Sequence, residues 1–227
     1  MKQKFTILFD LDGTLVDTAP DLMLAHNHVM RKFGYPTKST EDIRNLVGKG
    51  AGALIGRSIW GQAKKEFSKV LDAKIKDEMV KEFVNFYGKN IVNESTIVTG
   101  VKDFLIWCKE QNISMAVCTN KQEHLSNDLL KKIGIYDFFE YVAGSDTFDY
   151  CKPDPRHLTN VVEILDGDIK KTIMIGDSET DANAAKAAEI PVILLENGYT
   201  EKNTTEIYHN HLIKDFIGIE KIITKYL

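Results

Sequence analysis

Apolar and polar positions change period along this chain of 227 residues, and the changes divide it. Five short apolar runs rich in β-branched residues predict strands: Phe5 to Phe9, Ile113 to Cys118, Tyr141 to Ala143, Thr172 to Ile175 and Pro191 to Leu195. Between the last four lie segments of helical character, including His124 to Ile133, Pro155 to Leu165 and Asp181 to Ala188. That alternation predicts an α/β fold, a doubly wound parallel sheet with a Rossmann-like core, whose function should gather at the carboxyl ends of the strands.

The spacing between the first and second predicted strands breaks this rhythm. Roughly a hundred residues stand where a crossover needs about a dozen. Within the gap, Leu22 to Phe33, Ile43 to Ile59 and Met79 to Tyr87 carry apolar residues at helical spacing, interrupted by Pro36 and by glycines near Gly48. An inserted α-helical cap domain is the simplest account. Residues 18–97 would form it, and residues 1–17 with 98–227 the α/β core. The linkers fall near Asp17 to Pro20 and near Asn93 to Gly100, and a pair of linkers is what a hinged lid requires.

Composition narrows the function. Hydrophobic residues at 43% and charged residues at 27% describe an ordinary soluble globular protein, and a formal charge of -4 argues against nucleic acid as the main partner. Any anionic substrate must therefore be attracted locally. The first apolar run is too short for a signal peptide or a membrane span. Cys108, Cys118 and Cys151 are odd in number and lack the paired spacing of a zinc site, which fits a reducing, cytoplasmic setting.

The chemistry starts where the first strand ends, at Asp10-Leu11-Asp12-Gly13-Thr14. Residues two apart on an extended chain share a face, so the carboxylates of Asp10 and Asp12 lie close enough to repel. A bound cation, a proton-transfer role, or both would explain them. Gly13 lets backbone amides approach an anion, and Thr14 offers a hydroxyl where a phosphate would lie. Three more groups follow later strands. Thr119 and Asn120 can bind an oxyanion without adding charge. Lys152, before Pro153, holds one positive charge in place. Asp177 and Asp181 bring further carboxylates. Each signal alone is modest, but their conjunction, each beyond a predicted strand, points to a site.

On these motifs the chain resembles the haloacid dehalogenase-like superfamily over nearly its full length. The resemblance implies that Asp10 attacks phosphorus to form an aspartyl-phosphate, while Asp12 protonates the leaving oxygen and later accepts a proton from water. It implies Thr119 as the second motif and Lys152 as the third. Mg²⁺ is the implied cofactor, held by Asp10, the backbone carbonyl of Asp12 and Asp177, with Asp181 in support; hard oxygen ligands suit that ion.

Further stretches are similar to the phosphoglycolate phosphatase family: Leu46 to Ala51, Cys118 to Lys121, Gly144 to Thr147, Lys152 to Pro155, and Gly198-Tyr199. Lys49 stands where that family often has Asn, and Glu189 where a glycine is common. A small anionic phosphate ester is the expected substrate, with 2-phosphoglycolate foremost. Gly48, Lys49, Gly50 and Arg57 are candidates for holding its carboxylate, though such charges and glycines also suit a solvated helix and a turn. No membrane partner is expected, and the chain is expected to be a monomer or homodimer. Sugar-phosphate mutase, pyrophosphatase and nucleotidase activities use the same core motifs and stay open. A phosphorylatable receiver-type signalling protein gathers similar residues but would be about half as long and need no lid.

Overall fold

The computed structural model describes residues 4–60 and 73–227; the stretch of the expected cap at 61–72 and the first three residues lie outside the described set. β1 (Thr6–Phe9) is buried along its whole length and lies inside a six-stranded parallel sheet. β4 (Ser114–Cys118) and β6 (Thr172–Gly176) flank it, with Thr6 opposite Ser114 and Thr172. β5 (Tyr141–Ala143) extends the sheet beyond β4, while β7 (Val192–Leu195) and β8 (His211–Ile213) extend it beyond β6. The chain thus fills one side of β1 before the other. Where strand order reverses in this way, a crevice opens at the carboxyl ends.

Successive residues of β1 face opposite sides and belong to different hydrophobic clusters. Ile7 and Phe9 pack with Phe104, Leu105, Leu129 and Leu130 of α5 (Val101–Glu110) and α6 (Glu123–Ile133). Leu8 packs with Leu158, Val161, Ala184 and Ala185 of α7 (Arg156–Ile164) and α8 (Glu179–Ala187). The five expected strands are present, with ends that differ by a residue. β8 was not anticipated: its three residues are only half-buried and polar residues surround them, so no apolar run announces it. α5 and the short α9 (Glu220–Ile223) were likewise not anticipated.

The cap enters and leaves through β2 (Val16–Asp17) and β3 (Thr96–Ile97), an antiparallel ladder that also went unforeseen. Between them run α1 (Ala19–Phe33), α2 (Thr40–Arg44), α3 (Ala51–Trp60) and α4 (Ala73–Lys89), with α1 packed on α4. Pro20 opens α1, and Gly34, left-handed at φ 76°, closes it by donating its N–H to the Arg31 carbonyl. The segment from Ile43 to Ile59 divides into α2 and α3 because Gly48 and Gly50 adopt φ of 95° and 81°. Among the described residues, no helix is long and apolar enough to cross a membrane.

Asp21, in the first turn of α1, joins the two linkers. Its buried carboxylate accepts from the backbone N–H groups of Asn93 (3.0 Å), Glu94 (3.0 Å) and Ser95 (2.9 Å) and from the Ser95 hydroxyl (2.6 Å). The outgoing and returning chains therefore meet at one anion.

Candidate active site

Asp10 follows β1, and its amide keeps the ladder geometry by donating to the Ile175 carbonyl at 2.9 Å. Asp177 follows β6 next door. Four residues on, Asp181 completes a helix cap: its Oδ2 accepts from the N–H of Asp177 (3.2 Å), the N–H of Ser178 (3.1 Å) and the Ser178 hydroxyl (2.8 Å). The device that starts α8 thus also aims a carboxylate at β1. Oxygen atoms of Asp10, Asp177 and Asp181 all lie within 4.8 Å of one another, and all three residues are buried. Lys152, from the loop after β5, places Nζ 2.9 Å from Asp10 Oδ1 and 2.5 Å from Asp181 Oδ1.

Crowding governs the electrostatics. Burial, opposed by Lys152 and reinforced by Asp181 and Asp12, pushes the Asp10 carboxyl up to about 6. Burial likewise holds Asp177 well above the usual carboxylate range, with Asp10 and Asp181 adding to the rise and the Tyr199 N–H and Lys152 opposing it. Burial alone would lower the Lys152 ammonium, but Asp10 and Asp181 outweigh it and raise the group above its ordinary value. One lysine is left facing three carboxylates.

Two glycines permit the close approach. Gly13 has φ +82°, and a Cβ there would sit 2.1 Å from Asp177 Oδ2. At Gly198 a Cβ would sit 1.9 Å from the Asp177 carbonyl oxygen. With Gly198 in place, the next residue, Tyr199, donates its N–H to Asp177 Oδ2 at 2.6 Å.

Asp12 is held apart from this triad. Lys121 Nζ lies 2.7 and 2.8 Å from its two oxygens, and the Thr18 hydroxyl donates to Oδ1 at 2.7 Å. Of the four aspartates expected around a metal, three converge by side chain and Asp12 turns its carboxylate elsewhere. Thr119 is buried beyond β4, and its Oγ1 accepts the Lys121 N–H at 3.2 Å. Asn120 ties core to cap: its Nδ2 donates to the Gly48 carbonyl at 3.0 Å and the Lys152 carbonyl at 2.9 Å.

A cavity of about 280 Å³ lies between core and cap. Asp10, Asp12, Thr119, Asn120 and Lys121 form its floor, while Gly48, Lys49, Gly50, Leu54, Phe83 and Tyr87 contribute to the cap side. Two expected binding residues are not on its wall. Arg57 is consumed elsewhere, donating to the Leu46 and Asn45 carbonyls at 3.1 Å each and pairing with Glu201. Thr14 is fully buried, because the amides of Thr14, Leu15 and Val16 all return to the Leu11 carbonyl, at 3.3, 3.0 and 3.1 Å, in a tight turn. Conversely, Lys121, Thr18 and Tyr87 belong to the site although no sequence pattern marks them. Lys121 stood beside two chosen residues, but its partner Asp12 is far away in sequence, so spacing held no signal.

Comparison with known proteins gives the family. Residues 7–195 match the family model described as haloacid dehalogenase-like hydrolase, and the chain belongs to that family. A phosphoglycolate phosphatase of Mesorhizobium japonicum is 37% identical, covering 92% of this chain and 90% of that protein. Another, of Caulobacter vibrioides, is 38% identical over 95% of this chain and 89% of that protein. Among solved structures, a predicted phosphoglycolate phosphatase from Haemophilus somnus 129PT superposes with a TM-score of 0.88 at 30% identity, covering 98% and 99% of the two chains. The chain is thus an enzyme, a phosphoric monoester hydrolase similar to phosphoglycolate phosphatase.

Proposed function

We propose that the chain is a Mg²⁺-dependent phosphatase that hydrolyses 2-phosphoglycolate to glycolate and phosphate through an aspartyl-phosphate on Asp10. The observation that carries this reading is the convergence of Asp10, Asp177, Asp181 and Lys152 beside a separately held Asp12. On this reading residues 1–17 and 98–227 form the catalytic core and residues 18–97 the cap.

The residues present fit a hard divalent cation. Three buried carboxylates face a single ammonium, which leaves negative charge uncompensated, and the donor set consists of oxygen alone. Asp10 and Asp177 would hold the ion, with Asp181 anchored behind them by Ser178 and Lys152. Bound there, Mg²⁺ supplies charge stabilisation for the phosphoryl oxygens.

The chain's own groups do the rest. An Asp10 oxygen attacks phosphorus and the P–O bond to the leaving group breaks, while Asp12 gives that oxygen its proton. Asp12, now a carboxylate, takes a proton from water as the water attacks the phosphoryl group; phosphate departs and Asp10 is restored. Thr119 and Asn120 stand at the cavity floor where phosphoryl oxygens need neutral donors. Lys152 keeps Asp10 ionised and oriented. Leu54, Phe83 and Tyr87 exclude water from above, and Gly48, Lys49 and Gly50 close the cavity on the side of the cap.

A cavity of this size favours a small monoester. Three cysteines without disulfides suit a reducing cytoplasm. An initial-rate screen with Mg²⁺ across phosphoglycolate, hexose phosphates, nucleotides and pyrophosphate tests the assignment. Phosphoglycolate should lead in kcat/KM by at least about tenfold; a better rate on any other member of the set overturns it.

A further inference from the structure

We propose that Lys121 recognises a second anionic group on the substrate, a carboxylate one carbon removed from the ester oxygen, and thereby sets the preference of this site. The inference rests on the role given above to Asp12. An acid that protonates the leaving oxygen must come within about 2.6–3.2 Å of it. In a two-carbon phosphorylated acid, bond lengths keep the carboxylate oxygens within about 4 Å of that same oxygen. The group that holds Asp12 is therefore within reach of the carboxylate.

That group is Lys121, whose Nζ lies 2.7 and 2.8 Å from the Asp12 oxygens. An ammonium has three donors, and Asp12 occupies two of them. The side chain is only 5% exposed yet lines the cavity, so its charge acts where water screens it little. Tyr87 of α4 covers it, with Nζ 4.5 Å from the ring centroid, an arrangement that favours the cation and places an apolar roof over the site. Among described residues of the cavity wall, Lys49 is the other cation, and it sits on the partly exposed glycine turn of the cap. Lys121 instead stands on the core, beside the reacting end. A leaving group with a methyl in place of the carboxylate offers this ammonium nothing.

The test compares 2-phosphoglycolate with ethyl phosphate, which has the same chain length and no carboxylate, on the Mg²⁺-loaded full chain. Lys121→Met and Lys121→Gln, each checked by a thermal melt, should lower the ratio of kcat/KM values by about 10- to 100-fold, the loss expected for a buried charged pair. Lys121→Arg should keep most of it, and glycolate should inhibit the wild type but not Lys121→Met. Equal losses on both substrates would mean that Lys121 serves only to place Asp12, and would overturn the proposal. So would Lys49→Met abolishing the preference while Lys121→Met keeps it. A wild type with no preference for phosphoglycolate over ethyl phosphate defeats the functional reading itself; a wild-type preference that survives in both Lys121 variants defeats this inference alone.

Discussion

Without a divalent ion, the contribution of the acidic triad to the stability of this protein should fall with rising pH. Without a cation, burial raises the Asp10 carboxyl from 3.8 to about 6, against the pull of Lys152. Its proton is therefore held more tightly in the folded chain than in the unfolded one. The stability it contributes is full below about 3.8 and is lost as pH climbs through about 6. At about 1.4 kcal/mol per pH unit, that rise corresponds to roughly 3 kcal/mol by pH 8, and Asp177 acts in the same direction. A cation at the triad favours the charged carboxylates and removes the penalty. For a chain of this length, each kcal/mol moves Tm by about 2–4 °C. Mg²⁺ should then raise Tm by about 6–12 °C at about pH 8 and by much less near pH 5. Differential scanning calorimetry in EDTA and in Mg²⁺ at both pH values measures the difference. An increment of equal size at the two would refute the account of the triad.

Two substitutions probe other links. Asp10→Asn removes the attacking oxygen with almost no change of shape; kcat should drop by at least about 10³-fold while the circular dichroism spectrum remains that of the wild type. Asp21→Ala strands three backbone N–H groups and the Ser95 hydroxyl at the junction of the cap linkers. Of these, the Ser95 N–H and hydroxyl are buried, while Asn93 and Glu94 are exposed and can turn to water; at about 1–3 kcal/mol for each buried donor, a denaturant melt should show about 2–6 kcal/mol lost, and a loss under about 1 kcal/mol would show that the junction does not depend on that anion.

Much of this site could be read without coordinates because its parts are tied to local patterns. Asp10, Thr119 and Asp177 each stand directly after an apolar run, and a parallel sheet brings the carboxyl ends of such runs together. Asp181 follows Ser178 at capping-box spacing, so helix chemistry alone fixes its reach back to the strand end. The helical insertion declared itself by the length of the gap and the change of period, and Gly48 and Gly50 marked its inner break.

Residues whose meaning depends on distant partners could not be read in this way. Arg57 looks like a free cation in a helical segment, yet the turn at Asn45 and Leu46 and the remote Glu201 take up its donors. Thr14 sits in a motif that suggests exposure, but the turn closing on the Leu11 carbonyl buries it. Lys121 lies more than a hundred positions from Asp12, and Tyr87 reaches it from the cap. Composition and periodicity determine which strands and helices form, because burial of apolar faces is a local and repetitive demand. Only the tertiary packing decides which charges meet, because a Coulomb contact depends on distance through space and leaves no periodic trace along the chain.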